Sequence, residues 1–194
     1  LLLLIFFCCF ELAIVHLFQL TAKTQYIIEA CFMALTYYSF KKRPKWHWKL
    51  TSIIAVDFLI LFLCGFLTYR LAAWVQLPIP FDAPTAMTFF MLIIFAPIWE
   101  ELLYRGALVE VLSRAFTQKY AFWINCLLFS LGHLVAVFLV PAEFRIFVYY
   151  QALYTFALAW WLNRKREKLI SLNFVMVDHF AFNLGFALAL SQLL

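Results

Sequence analysis

Residues 87–106 read MTFFMLIIFAPIWEELLYRG, an apolar run that ends in two adjacent carboxylates and, four residues later, an arginine. The apolar part has the composition of a membrane span, where each buried charge costs roughly 2.5–3.5 kcal/mol on insertion scales. Glu100, Glu101 and Arg105 therefore need compensation, and finding it decides how the rest of the chain is read.

The chain has 194 residues, of which 67% are hydrophobic and 13% charged. A soluble domain is about half apolar and a quarter charged, so this composition cannot cover a water-facing surface. Runs of roughly 20 apolar residues, each enough for a spanning helix, fall near 1–20, 25–40, 50–74, 86–116, 119–140, 143–162 and 169–194. Their length and the lack of alternating polarity point to helices rather than a β-barrel. The expected fold is an all-α, polytopic membrane bundle of about seven transmembrane helices, with residues 1–194 as a single membrane domain. The opening LLLLIFFCCF has no Met and no basic segment, and is read as a first or truncated span rather than a signal peptide.

Lys41, Lys42, Arg43, Lys45 and Lys49 fill one expected loop, and Arg164, Lys165, Arg166 and Lys168 another. Arg105, Arg114 and Lys119 surround a third connection, and with seven spans all three lie on one side. They hold twelve of the fifteen basic residues, against Lys23, Arg70 and Arg145 opposite. The rich side is expected to be cytoplasmic, with the C-terminus outside. The location follows as a multi-pass integral membrane protein, in the cytoplasmic membrane if bacterial. The net charge of +5 is thus a topology signal, and no nucleic-acid partner is expected, because the basic residues form short loops and not one continuous face. Cys8, Cys9, Cys31, Cys64 and Cys126 sit in apolar runs without CxxC spacing and read as buried hydrophobes. The segment QLPIPFDAPT at 76–85 reads as a short outer loop.

The intramembrane polar candidates are Glu11, His16, Glu29, Asp57, Glu100, Glu101, Arg105, Glu110, His133, Asp178, His179 and Asn183. EELLYRGALVEVLSRAF contains no proline, so its helix can run to about Phe116 and turn back near Thr117 and Gln118. Glu100 lies 17 residues before Thr117 and His133 lies 16 after it, so an antiparallel hairpin sets both roughly 20–25 Å from the turn. His179 and Asn183 are spaced i,i+4 on one helical face, as are Phe129 and His133. His179 stands about ten residues beyond RKREK, roughly 15 Å into the membrane and near the same depth. Glu101 and Arg105 form an i,i+4 pair in the favourable order. The two glutamates differ by about 100° around a regular helix and cannot both face one cavity squarely. Glu100 is assigned to the cavity and Glu101 to Arg105, with the reverse left open. Glu11, His16, Glu29 and Asp57 have no partner at matching spacing and read as structural or rim residues. Asp178 falls on an exposed face apart from Asn183 and reads as a packing group. Trp46, Trp48, Trp160 and Trp161 beside the basic stretches read as an interfacial belt.

A glutamate in an apolar cavity beside a histidine can take a proton from water and pass it to a leaving amine. Donors on a facing helix can hold the oxyanion of a tetrahedral intermediate. Glu100-Glu101-x-x-x-Arg105, Phe129-x-x-x-His133 and His179-x-x-x-Asn183 together resemble the three signature motifs of the CPBP family of intramembrane proteases. That family includes CAAX prenyl endopeptidases and Abi-like bacterial proteins tied to bacteriocin processing or self-immunity. The resemblance covers roughly 86–194, the expected catalytic core, whereas 1–85 carries no recognised motif.

It implies a peptidase acting on a membrane-associated peptide or protein, prenylated or with a transmembrane tail. Glu100 and His133 would activate water and His179 and Asn183 would hold the oxyanion, supported by Glu101, Arg105 and Phe129. No cofactor is expected. Zinc is the alternative, because two Glu and two His could ligate it; but HExxH is absent, each histidine stands alone on its helix and Asn is a poor zinc ligand. The competing class is a non-catalytic membrane protein, either an immunity protein or a proton-coupled transporter. A transporter favours repeats and broken helices, which the sequence does not suggest.

Overall fold

The computed structural model describes residues 52–80, 85–169 and 171–191. The expected spans at 1–20 and 25–40 lie outside them, as do Glu11, His16, Glu29, Trp46, Trp48, the basic stretch 41–49 and three of the cysteines. The described residues form five helices and no strand, in keeping with the all-α expectation.

Helix α1 is Ser52–Trp74. Helix α2 runs without a break through Ala86–Phe90, Met91–Phe95, Ala96–Glu100, Glu101–Leu108 and Val109–Ala115. Its second and fourth segments are π-helical. Phe116 and Thr117 are extended, and α3, Gln118–Leu134, turns back where the sequence places the turn. A 3₁₀ segment, Val135–Phe138, prolongs α3. Helix α4 is Arg145–Leu169 and α5 is Leu172–Ser191. Among the described residues three stretches are long and apolar enough to cross a membrane: Ile54–Trp74, Gln118–Phe138 and Leu172–Ser191.

Helix α1 is apolar all round, and it is helical because only internal hydrogen bonds can satisfy its backbone in lipid. Val56, Leu59, Leu63, Leu67 and Leu71 form an exposed stripe, whereas Leu61, Tyr69 and Ala72 are buried. The buried side packs on α5 in the most extensive helix pairing. A Cβ on Gly65 would lie 1.9 Å from the Phe182 carbonyl oxygen, and one on Gly185 would lie 2.0 Å from that of Phe62. Small residues therefore let these two backbones meet, the usual device where lipid removes the hydrophobic drive between helices.

The basic stretch 163–168 is not a loop. Helix α4 continues through it to Leu169, because NRKREK has no Gly or Pro and is rich in good helix formers. Its cations also suit the negative end of the helix dipole. Gln118 on α3 donates to Glu167 on α4 at 3.3 Å, so Arg114, Lys119 and the basic end of α4 share one end of the bundle.

Candidate active site

Helix α2 carries both carboxylates into the bundle, and its irregular segments set their directions. In the first π segment the Ala96 N–H bonds to the Met91 carbonyl five residues back. Continuing that register directs the Leu92 carbonyl at residue 97, which is proline and has no N–H. Asn183 of α5 supplies the missing donor, its Nδ2 lying 2.8 Å from the Leu92 oxygen. The second π segment begins at Glu101 and is pinned similarly, with Asn125 Nδ2 of α3 donating to the Tyr104 carbonyl at 2.7 Å. Single π turns inside α-helices are rare and frequently mark functional sites.

Glu101 and Arg105 are both fully buried, with Arg105 Nη1 2.9 Å from Glu101 Oε1. The same oxygen takes a second hydrogen bond, from His179 Nδ1 at 2.8 Å. On its other side His179 presents Nε2 to Glu100 Oε2 at 3.6 Å. The two glutamates therefore bracket one imidazole, although a regular helix separates them by about 100°. The π turn starting between them breaks that regular spacing. Glu101 compensates Arg105 and orients His179 at once, a contact that the spacing along α2 does not reveal.

The other oxygen of Glu100 faces His133 Nε2 at 4.0 Å. His133 Nδ1 lies 3.0 Å from the Phe129 carbonyl, so that nitrogen carries a proton and the ring is held with Nε2 toward Glu100. Glu100 and His133 are each 21% exposed, unlike the sealed Glu101–Arg105 pair. Phe129 is fully buried at the centre. Arg105 Cζ stands 4.2 Å above its ring, and the rings of His133 and His179 lie 4.9 and 5.9 Å away. Glu110 takes no part: it pairs with Arg114 at the exposed end of α2.

Asp57, Asp178 and Lys165 correct the sequence reading. Asp178 is fully buried, not exposed, and Lys165 Nζ lies 2.6 Å from it. Asp57 has a partner after all, since the same ammonium sits 3.0 Å from its Oδ2. Trp161 Nε1 also donates to Asp178, at 3.1 Å. The cluster ties α1, α4 and α5 together one residue before His179. Lys165 looks like one cation in a loop run, and nothing in its spacing marks it as the one that turns inward.

Among the described residues no group of three or more His, Cys, Asp or Glu is arranged to hold a metal ion. Cys64 and Cys126 are free thiols, one exposed and one buried.

No curated protein and no solved structure matches the chain. A family model does: that of the Rce1-like type II CAAX prenyl endopeptidases matches residues 82–185, spanning α2 to α5 and every residue of the glutamate–histidine cluster. With more than half of its length matched, and with helices able to cross a bilayer, this integral membrane protein belongs to the Rce1-like, type II CAAX prenyl endopeptidase family, a family of proteases.

Proposed function

We propose that the chain is an intramembrane endopeptidase that hydrolyses a peptide bond of a membrane-associated substrate, prenylated or with a transmembrane tail, using water activated by Glu100 and His133. The observation that carries this is the setting of Glu100 between two imidazoles, 4.0 Å from His133 and 3.6 Å from His179. Each ring has its far nitrogen held, one by the Phe129 carbonyl and the other by Glu101.

A water between Glu100 and His133 meets a carboxylate and a bare imidazole nitrogen, both proton acceptors. Its proton passes to this pair as the oxygen attacks the scissile carbonyl, and returns to the amine as the C–N bond breaks. His179 donates through Nδ1 to Glu101, so it can offer a proton from Nε2 only as imidazolium. In that form it would stabilise the oxyanion. Asn183 spends one amide hydrogen on Leu92 and keeps the second for the substrate. The reading uses the chain's own residues, and no step runs through a metal.

Cleavage of a prenylated or transmembrane-tail peptide by the purified chain tests it. Glu100→Gln and His133→Ala should each lower turnover by about 10²–10⁴. Their combination should be little worse, because groups acting as a unit are not additive. Asn183→Ala should lower kcat more than it raises KM. Normal turnover in Glu100→Gln would exclude the proposed base. Elemental analysis of dialysed active enzyme separates the mechanisms, and one zinc per chain that vanishes with His133 or His179 would overturn the metal-free one.

A further inference from the structure

At the basic end of the bundle a cavity of about 510 Å³ is lined by Asp57, Trp160, Trp161, Arg164, Lys165 and Lys168. Its volume falls within the roughly 300–1,000 Å³ of ligand sites. The candidate span on α5 begins at Leu172, so the last turn of α4 lies where the chain leaves the bilayer.

The inner wall holds one cation between two carboxylates. Lys165 is shared between Asp57 and Asp178 and is 94% covered, leaving it little to offer a ligand. The mouth is different. Arg164, with its side chain 59% exposed, stands 3.8 Å from Glu167, too far for a hydrogen bond. Lys168 has no ion-pair partner among the described residues. Arg164 Cζ also lies 5.7 Å from the Phe122 ring, a contact that leaves most of the side chain exposed. Two exposed cations thus stand one turn apart on one helix, above two tryptophans, the aromatic residue favoured at headgroup level. This combines a planar donor fork with a mobile ammonium, both suited to phosphate, over an amphipathic floor that suits glycerol and the first acyl carbons.

We propose that this cavity holds the headgroup of an anionic phospholipid from the leaflet on the basic side, with Arg164 and Lys168 on its phosphate and Trp160 and Trp161 along the glycerol. The site is separate from Glu100, but Lys165 on its inner wall is paired with Asp178, the neighbour of His179. An occupied headgroup site would therefore brace the contact of α4 with α5 one residue from the imidazole.

The test uses the full chain, purified in uncharged detergent and mixed with equimolar phosphatidylglycerol and phosphatidylcholine, with retained lipid read by native mass spectrometry. Each cation near the surface contributes about fivefold, so phosphatidylglycerol should be favoured roughly 25-fold. R164Q/K168Q should bring the ratio to near one, R164K/K168R should preserve it, and R70Q/R145Q at the opposite end should leave it unchanged. For the unaltered chain, raising the salt should release phosphatidylglycerol selectively, an arm that needs no variant to fold. Excess inorganic phosphate should fail to displace the lipid, since it lacks the acyl chains that anchor it. Equal retention of the two lipids, salt-independent retention, a ratio that survives R164Q/K168Q, or displacement by phosphate would each overturn the proposal. The readout counts lipid and not cleavage, so it stands or falls apart from the protease assignment.

Discussion

Replacing Glu101 by Gln should be far more damaging than replacing Arg105 by Gln, although the two residues form one ion pair. Glu101 Oε1 receives Arg105 Nη1 at 2.9 Å and His179 Nδ1 at 2.8 Å. At an effective dielectric of about 20, a full pair of charges at 2.9 Å attracts by about 6 kcal/mol before desolvation is subtracted. Burial of both ions cancels most of that, so the pair itself adds little, whereas stranding one buried charge costs about 3–5 kcal/mol. Glu101→Gln strands the guanidinium charge, which has no exposed surface and keeps only a neutral amide oxygen and the Phe129 face 4.2 Å away. Arg105→Gln leaves a carboxylate that still accepts the His179 Nδ1 hydrogen bond. Its cost should be about 2 kcal/mol smaller, the difference between a stranded and a hydrogen-bonded buried charge. The double variant should be more stable than Glu101→Gln alone, because it removes the stranded charge. Unfolding in mixed micelles with increasing dodecyl sulfate, followed by circular dichroism, gives the ranking. If Arg105→Gln costs as much as Glu101→Gln, or if the double variant is no better than Glu101→Gln, then His179 does not share the carboxylate as described.

Two further outcomes follow from other parts of the fold. Gly185→Ala drives a methyl into the Phe62 carbonyl at 2.0 Å; it should cost at least about 1–3 kcal/mol in the same unfolding assay, and an unchanged midpoint would contradict the close crossing of α1 and α5. Cysteines placed at Lys119 and Lys168, in a chain otherwise free of cysteine, should both be labelled from the cytoplasmic side, and labelling from opposite sides would break the shared basic end.

The irregularity of α2 links packing to the proposed chemistry. A regular helix would bond its own carbonyls and hold Glu100 and Glu101 on diverging faces. Here Pro97 removes one backbone donor, so that Asn183 captures the Leu92 carbonyl, and Asn125 adds a second donor to the Tyr104 carbonyl that already accepts the Val109 N–H. The carboxylates are thereby turned by α2 but fixed by α3 and α5. Asn183 accordingly has a structural bond to lose as well as a catalytic role, which is why its variant must be judged by kcat against KM and not by activity alone.

The sequence by itself determined the membrane class, because 67% hydrophobic residues leave no way to build a wetted surface. It also determined which residues could meet. Helix rise is fixed at 1.5 Å per residue, so counting from the turn at Thr117 sets Glu100 level with His133, and i,i+4 spacing joins Glu101 to Arg105 and His179 to Asn183. What counting along one helix cannot supply is the rotation of that helix about its axis relative to its neighbours. The tertiary structure decided that: the Gly65–Gly185 contact sets how α5 sits on α1, and the π segments set how α2 faces α5. Only with those rotations fixed do both glutamates reach His179. The same limit hid Lys165. A run of four cations among five residues looks uniform in sequence, and only the packing of α1, α4 and α5 brings Asp57 and Asp178 around the one that turns inward.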